Sequence, residues 1–132
     1  MRIAVDTNVL VRFLIWDNED QAAQAADLIE RADAVILSTV VLCETVWVLR
    51  RAYKLPHRLI AATLREITES RTVDVDRLAV EAGLAVLERG GDFASGVILY
   101  DAARARAERL VTFDRALAER AGSERVELLG DG

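Results

Sequence analysis

Arg2-Ile3-Ala4-Val5-Asp6-Thr7-Asn8-Val9-Leu10-Val11 opens the chain, and its reading decides the fold. Ile3 to Val5 is a short apolar run of the kind that forms a buried strand. Asp6, Thr7 and Asn8 follow at once, and short polar side chains of this type start helices by accepting backbone N–H groups. A strand that runs directly into a helix is the first half of a βαβ unit. The rest of the chain repeats that alternation.

Working outward, Val9 to Ile15 is expected to be a short helix, and Asp17-Asn18 caps a second whose apolar face is Ala22, Ala25, Ala26, Leu28 and Ile29. Ala34 to Leu37 is the next strand. Thr39 to Lys54 is helical and apolar almost all round in its first half, so that half is expected to be buried. Pro56 suits the first turn of a helix carrying Leu59, Ile60, Leu64 and Ile67 at helical spacing. Thr72 to Val75 returns to strand, and Leu78 to Arg89 is a helix stopped by Gly90-Gly91. Asp92 caps a helix from Phe93 to about Ala107. Leu110 to Phe113 is a fourth strand, Arg115 to Arg120 a short helix, and Val126 to Leu129 a fifth strand. Strands alternating with helices imply an α/β domain with a mainly parallel sheet of about five strands and helices on both faces.

At 132 residues the chain is read as one domain, residues 1–132, burying roughly two-thirds of the surface its unfolded form exposes. No apolar run approaches the ~18 residues of a membrane span, and the N-terminus shows no signal-peptide pattern. A single cysteine, Cys43 in Val40-Val41-Leu42-Cys43, reads as a buried packing thiol. These features favour the cytoplasm. The formal net charge of −5 argues weakly against nucleic-acid binding by the field of the whole chain. Any such function must come from a bound metal or from clustered basic residues.

Functional groups of open α/β sheets collect beyond the carboxyl ends of the strands. Asp6 follows the first strand and Asp114 the fourth, so the two carboxylates face each other if those strands are neighbours. Glu44 is the only charged side chain between Thr39 and Leu49. A lone buried carboxylate is costly unless paired or metal-bound, so a salt bridge to an arginine and a metal site weigh equally there. Capping is the default role of Asp6, Asp92 and Asp114. Together the four acids suggest more, because crowded carboxylates repel and a divalent cation removes that cost. All-oxygen ligation without His or Cys points to Mg²⁺ or Mn²⁺. His57, the one histidine, is expected to be exposed at a helix start. Trp16 and Trp47, on helices flanking the acids, are core residues by default, the alternative being that one lines a groove for a partner's helix.

Asp6-Thr7-Asn8-Val9-Leu10, Ser38 followed by Cys43-Glu44-Thr45-Val46-Trp47-Val48-Leu49, Gly91-Asp92-Phe93-Ala94 and Thr112-Phe113-Asp114 resemble the PIN domain. More narrowly they resemble the VapC-type toxins of bacterial toxin–antitoxin pairs. The resemblance spans nearly the whole chain. It implies a PIN-like three-layer sandwich and a Mg²⁺- or Mn²⁺-dependent endoribonuclease, usually a homodimer, restrained by a small antitoxin. Asp6, Glu44 and Asp114 match the family's acidic positions, for which the resemblance implies metal ligation and catalysis. The third block departs from the pattern, reading Asp92-Phe93-Ala94-Ser95 where the family usually ends in a second aspartate.

Ser95 therefore stands where a ligand is expected, with Asp92 the nearest substitute. From a cap position Asp92 would point its carboxylate at the helix backbone. Thr7, Asn8, Ser95 and Thr112 would support the acids by hydrogen bonds. Arg50, Arg51, Lys54 and Arg58 are a candidate track for RNA phosphates, set against the plainer reading of a solvated helix face. The alternative to a working nuclease is a catalytically impaired module that binds RNA or a protein partner. A phospho-accepting receiver-like domain is a remote alternative, since it needs a lysine late in the chain and Lys54 is the only lysine.

Overall fold

The turn at Asp6 forms as the sequence suggests, and the elements around it follow the alternating order. The computed structural model describes residues 1–122 and 124–130. The chain divides into two units, Met1–Arg77 and Leu78–Gly132. In the first, β1 (Arg2–Ala4), β2 (Ala34–Ile36) and β3 (Val73–Asp74) form a parallel sheet in that order. Four helices connect them: α1 (Thr7–Leu14), α2 (Glu19–Arg31), α3 (Thr39–Arg51) and α4 (His57–Thr68). Asp6, Asn18 and Ser38 each accept a backbone N–H in the first turn of the following helix, so polar caps set these three boundaries. Pro56 occupies the cap of α4 without a side-chain bond.

Leu10, Val35, Leu37, Leu42, Leu49, Ile60 and Leu64 are buried in this unit. Helix α1 packs against both α2 and α3. A polar network closes the far end of that packing. Arg12 donates to Gln21 at 2.7 Å and to Asp17 at 3.3 Å, and the Tyr53 hydroxyl donates to Asp17 at 2.8 Å. It ties α1, the first turn of α2 with the loop before it, and the turn after α3 to one another.

The second unit holds α5 (Arg77–Leu87, whose first residue ends the first unit), α6 (Phe93–Arg104), β4 (Leu110–Thr112), α7 (Arg115–Ala121) and β5 (Val126–Leu128). Strands β4 and β5 pair in parallel, and α7 packs against both. The expected five strands are thus present and parallel, in ladders of three and two. The neighbouring of strands one and four, on which the facing of Asp6 and Asp114 was argued, is not among these ladders: β1 bonds to β2 and β4 to β5.

Four burial expectations are corrected. Helix α3 is not buried all round, because Val40, Glu44, Trp47 and Arg51 lie on one face that solvent reaches. Trp16 and Trp47 are 54% and 60% exposed and belong to no core. Cys43 and His57 are each half-buried. The apolar content of α3 misled the reading because its four charged or bulky exposed positions recur at i, i+4, i+7 and i+11, a stripe that hydrophobicity alone conceals.

Glycine controls the approach of α6 to α5. A Cβ on Gly96 would come within 2.8 Å of the Ala82 carbonyl carbon and 2.9 Å of Gly83 Cα. These are backbone atoms, which cannot swing aside. A Cβ on Gly83 would lie 2.5 Å from the buried Phe93 ring. Replacing a helical glycine by alanine ordinarily stabilises by about 0.5–1 kcal/mol. Here overpacking should win, at about 1–3 kcal/mol. Gly96→Ala should therefore lower the melting temperature by roughly 3–10 °C, and a rise in a thermal melt would show that the two helices can separate without loss.

Candidate functional site

Asp6 ends β1 at its carboxyl edge and starts α1. Its Oδ1 accepts the Val9 N–H at 3.1 Å, so the capping role expected from sequence is real. One oxygen satisfies the cap, and the residue is exposed. The next residue, Thr7, reaches sideways to α3, where its hydroxyl donates to Glu44 Oε1 at 2.7 Å. A hydrogen bond to a charged acceptor is shorter and stronger than one between neutral groups, and it fixes the carboxylate's direction.

Glu44 is exposed, against the expectation of burial. The cost of burying a lone charge therefore says nothing about its role. Among the described residues it has no arginine partner, which removes the salt-bridge reading; its bond is to Thr7. What distinguishes Glu44 is where it stands. Asp6, Thr7, Asn8, Glu44, Trp47 and Val48 line one open cleft of about 480 Å³. Two carboxylates, one hydroxyl and one amide thus share a wall of mixed polar and apolar character.

Asp92 and Asp114 lie in the second unit. Asp114 caps α7, its Oδ1 accepting the Leu117 N–H at 3.1 Å, while its own N–H donates to Thr112 Oγ1 at 2.9 Å. Thr112 thus restrains the backbone of Asp114. Asp92 differs from the other two aspartates. It holds the cap position of α6 with extended backbone, yet its side chain makes no cap bond. The expectation that its carboxylate is spent on the helix is corrected: the exposed side chain leaves that backbone alone. Ser95 lies one turn into α6 and is only 9% exposed.

The basic residues do not form one track. Arg50 is half-buried and donates to the Leu55 carbonyl at 2.8 Å, closing the turn after α3. Arg51 instead lies over the Trp47 ring, 5.7 Å from its centroid. Lys54 is exposed in that turn at φ 54°, and Arg58 is exposed in α4. The default core reading of Trp47 is corrected, since the residue is exposed and lines the cleft. The signal was present in its spacing of three from Glu44 and four from Arg51, two charges that mark a solvent-facing stripe.

Whether this donor set suits a metal can be judged from its chemistry. Among the described residues no three His, Cys, Asp or Glu side chains form a ready-made cage. Magnesium does not need one, since it keeps several waters and is commonly held by one or two carboxylates plus substrate phosphate. Asp6 and Glu44 meet that requirement with oxygen donors alone. Among the described residues no helix is long and apolar enough to cross a membrane.

Comparison with known families matches residues 3–123 to the PIN domain, and the chain belongs to that family. No curated protein matches it. PIN domains are generally nucleases and typically use divalent metals, which supports a nuclease-like, RNA-related function for the chain.

Proposed function

We propose that this PIN-domain chain is a Mg²⁺- or Mn²⁺-dependent endoribonuclease, the cytoplasmic toxin of a toxin–antitoxin pair. The observation that carries the reading is the Asp6–Glu44 pair, ordered by Thr7 in an open cleft at the carboxyl end of β1. The toxin assignment rests on the four sequence blocks that resemble VapC-type toxins, as do the expected antitoxin partner and homodimer.

Asp6 and Glu44 would hold the metal, and Asp114 and Asp92 are proposed as further ligands on the sequence pattern alone. When bound, the cation lowers the pKa of water and offsets charge on the scissile phosphate. Asp6 accepts the helix N–H with Oδ1, which leaves its second oxygen for a cation in the cleft that the residue lines. Thr7 holds Glu44 by one oxygen, so the second is presented in a fixed direction to a ligand or to water. Thr112 does the corresponding work for Asp114 through its backbone. Asn8 offers an amide at the cleft wall for a phosphate or ribose oxygen. The hydroxyl at Ser95 favours a second reading, in which the chain binds RNA or a partner but cleaves poorly.

Three outcomes test this reading. Asparagine caps helices about as well as aspartate, so Asp6→Asn and Asp114→Asn should melt normally in chelator. Mn²⁺ should raise the melting temperature of the parent, because a ligand bound only by the native state stabilises it. Both variants should lose that increment, and an equal shift in all three proteins would place the metal elsewhere. Thr7→Val removes the donor to Glu44 while keeping the shape. It should weaken Mn²⁺ binding by about 10-fold, as loss of a ligand's supporting bond commonly does; calorimetric titration measures it. Ser95→Asp places a carboxylate where the family usually has one. It should lower stability in chelator, since the position is nearly buried, yet tighten Mn²⁺ binding by ~10–100-fold and quicken RNA cleavage. Unchanged metal binding and cleavage in that variant would remove Ser95 from the ligand position.

A further inference from the structure

Trp47 is the feature the metal chemistry leaves unexplained. An indole is usually well buried, because removing it from water is strongly favourable. Here it stands 60% exposed on α3, and it lines the same cleft as Asp6 and Glu44. Arg51, one helical turn on, lies over the ring at 5.7 Å from its centroid, within the range of a cation–π contact. That contact restrains the plane of the indole and sets a positive charge beside the acidic wall. The chain's net charge of −5 gives a polyanion no general attraction, so an RNA strand must gain its affinity from local contacts.

The geometry points to Trp47 and Arg51 as a stacking platform for one unpaired base of the RNA strand whose phosphate reaches the Asp6–Glu44 cleft. This deepens the ribonuclease reading and rests on it. Any base presents a π-face, so a stacked indole holds single strands with little sequence preference. A base inside a duplex has no free face to offer, so the platform selects single-stranded RNA. Arg51 covers one face of the indole, which leaves the other face for the base, and its charge would attract a neighbouring phosphate. A protein partner anchored on the exposed indole is the competing occupant. The acid cleft at its side and the cation over its ring favour a nucleotide, which carries an aromatic plane and a negative charge together.

The test uses a 2′-O-methyl hexauridylate, which resists cleavage, an abasic oligomer of equal length and a hexanucleotide duplex. In a Trp16→Phe background Trp47 is the sole tryptophan of the chain's two. The hexauridylate should quench its fluorescence, and the abasic oligomer and duplex should not. By fluorescence anisotropy, Trp47→Ala should weaken hexauridylate binding by about tenfold, the scale of one lost base–aromatic stack. Trp47→Phe should restore part of it, and Arg51→Ala should weaken it and reduce its salt dependence. Equal affinity of Trp47→Ala and parent, or equal quenching by the abasic oligomer, overturns the platform and assigns Trp47 to a protein interface. Asp6→Asn separates this outcome from failure of the nuclease reading. It should stop Mn²⁺-dependent RNA cleavage, and hexauridylate binding is compared in chelator, where Asp6 holds no cation. Lost stacking with intact Asp6-dependent cleavage therefore sinks the platform alone. Intact stacking in a parent that cleaves no RNA with Mn²⁺ sinks the nuclease reading.

Discussion

The hydrogen bond from Thr7 to Glu44 joins the first turn of α1 to the second turn of α3, and the site depends on it. Asp6 is placed by the chain itself, through the strand it ends and the helix it caps. Glu44 comes from thirty-seven residues away and has no such local guide. A flexible carboxylate on an exposed helix face samples many rotamers, and ordering it costs conformational entropy. One charge-assisted bond from a half-buried threonine offsets part of that cost. It also fixes which carboxylate oxygen remains to meet a ligand.

That bond requires α1 and α3 to keep a fixed distance, and the surrounding structure maintains it. Leu10, Leu42, Val46 and Leu49 are buried on these two helices. At the other end the Arg12, Asp17, Gln21 and Tyr53 network ties the same elements through polar contacts. Each of those bonds is individually small at a partly exposed site. Their joint effect is geometric, because they resist sliding of α1 along α3. Apolar burial holds the helices together, and the polar ends set their register.

The three candidate aspartates show how one position in a fold can serve two ends. Asp6 and Asp114 both cap a helix that follows a strand, and both keep a second carboxylate oxygen. Asp92 also stands at the start of a helix, after α5 and not after a strand, and leaves that helix uncapped. Its α6 instead depends on close backbone approach at Gly96 and on the buried Phe93 ring. A helix anchored by packing can dispense with a cap, and its acid is then unoccupied by structural work. The nearly buried Ser95 in the next turn extends the same logic, since a neutral hydroxyl is far cheaper to enclose than a carboxylate.

The sequence by itself determined the order of strands and helices, the caps at Asp6, Asn18 and Asp114, and the identity of the acids at strand ends. These are local properties, decided by periodicity and by side chains bonding backbone a few residues away. Glu44 was also legible as unusual, but for the wrong reason: its helix was read as buried. Only tertiary structure decided which side of α3 meets solvent. Burial of a helix face depends on which neighbours cover it, and an apolar stretch does not name its neighbours. The same holds for Trp47, which looked like core and stands in the cleft, and for Arg50, whose charge closes a turn while Arg51 covers an indole. Adjacent arginines are equivalent in sequence; the helix turns them about 100° apart, and their surroundings decide what each one does.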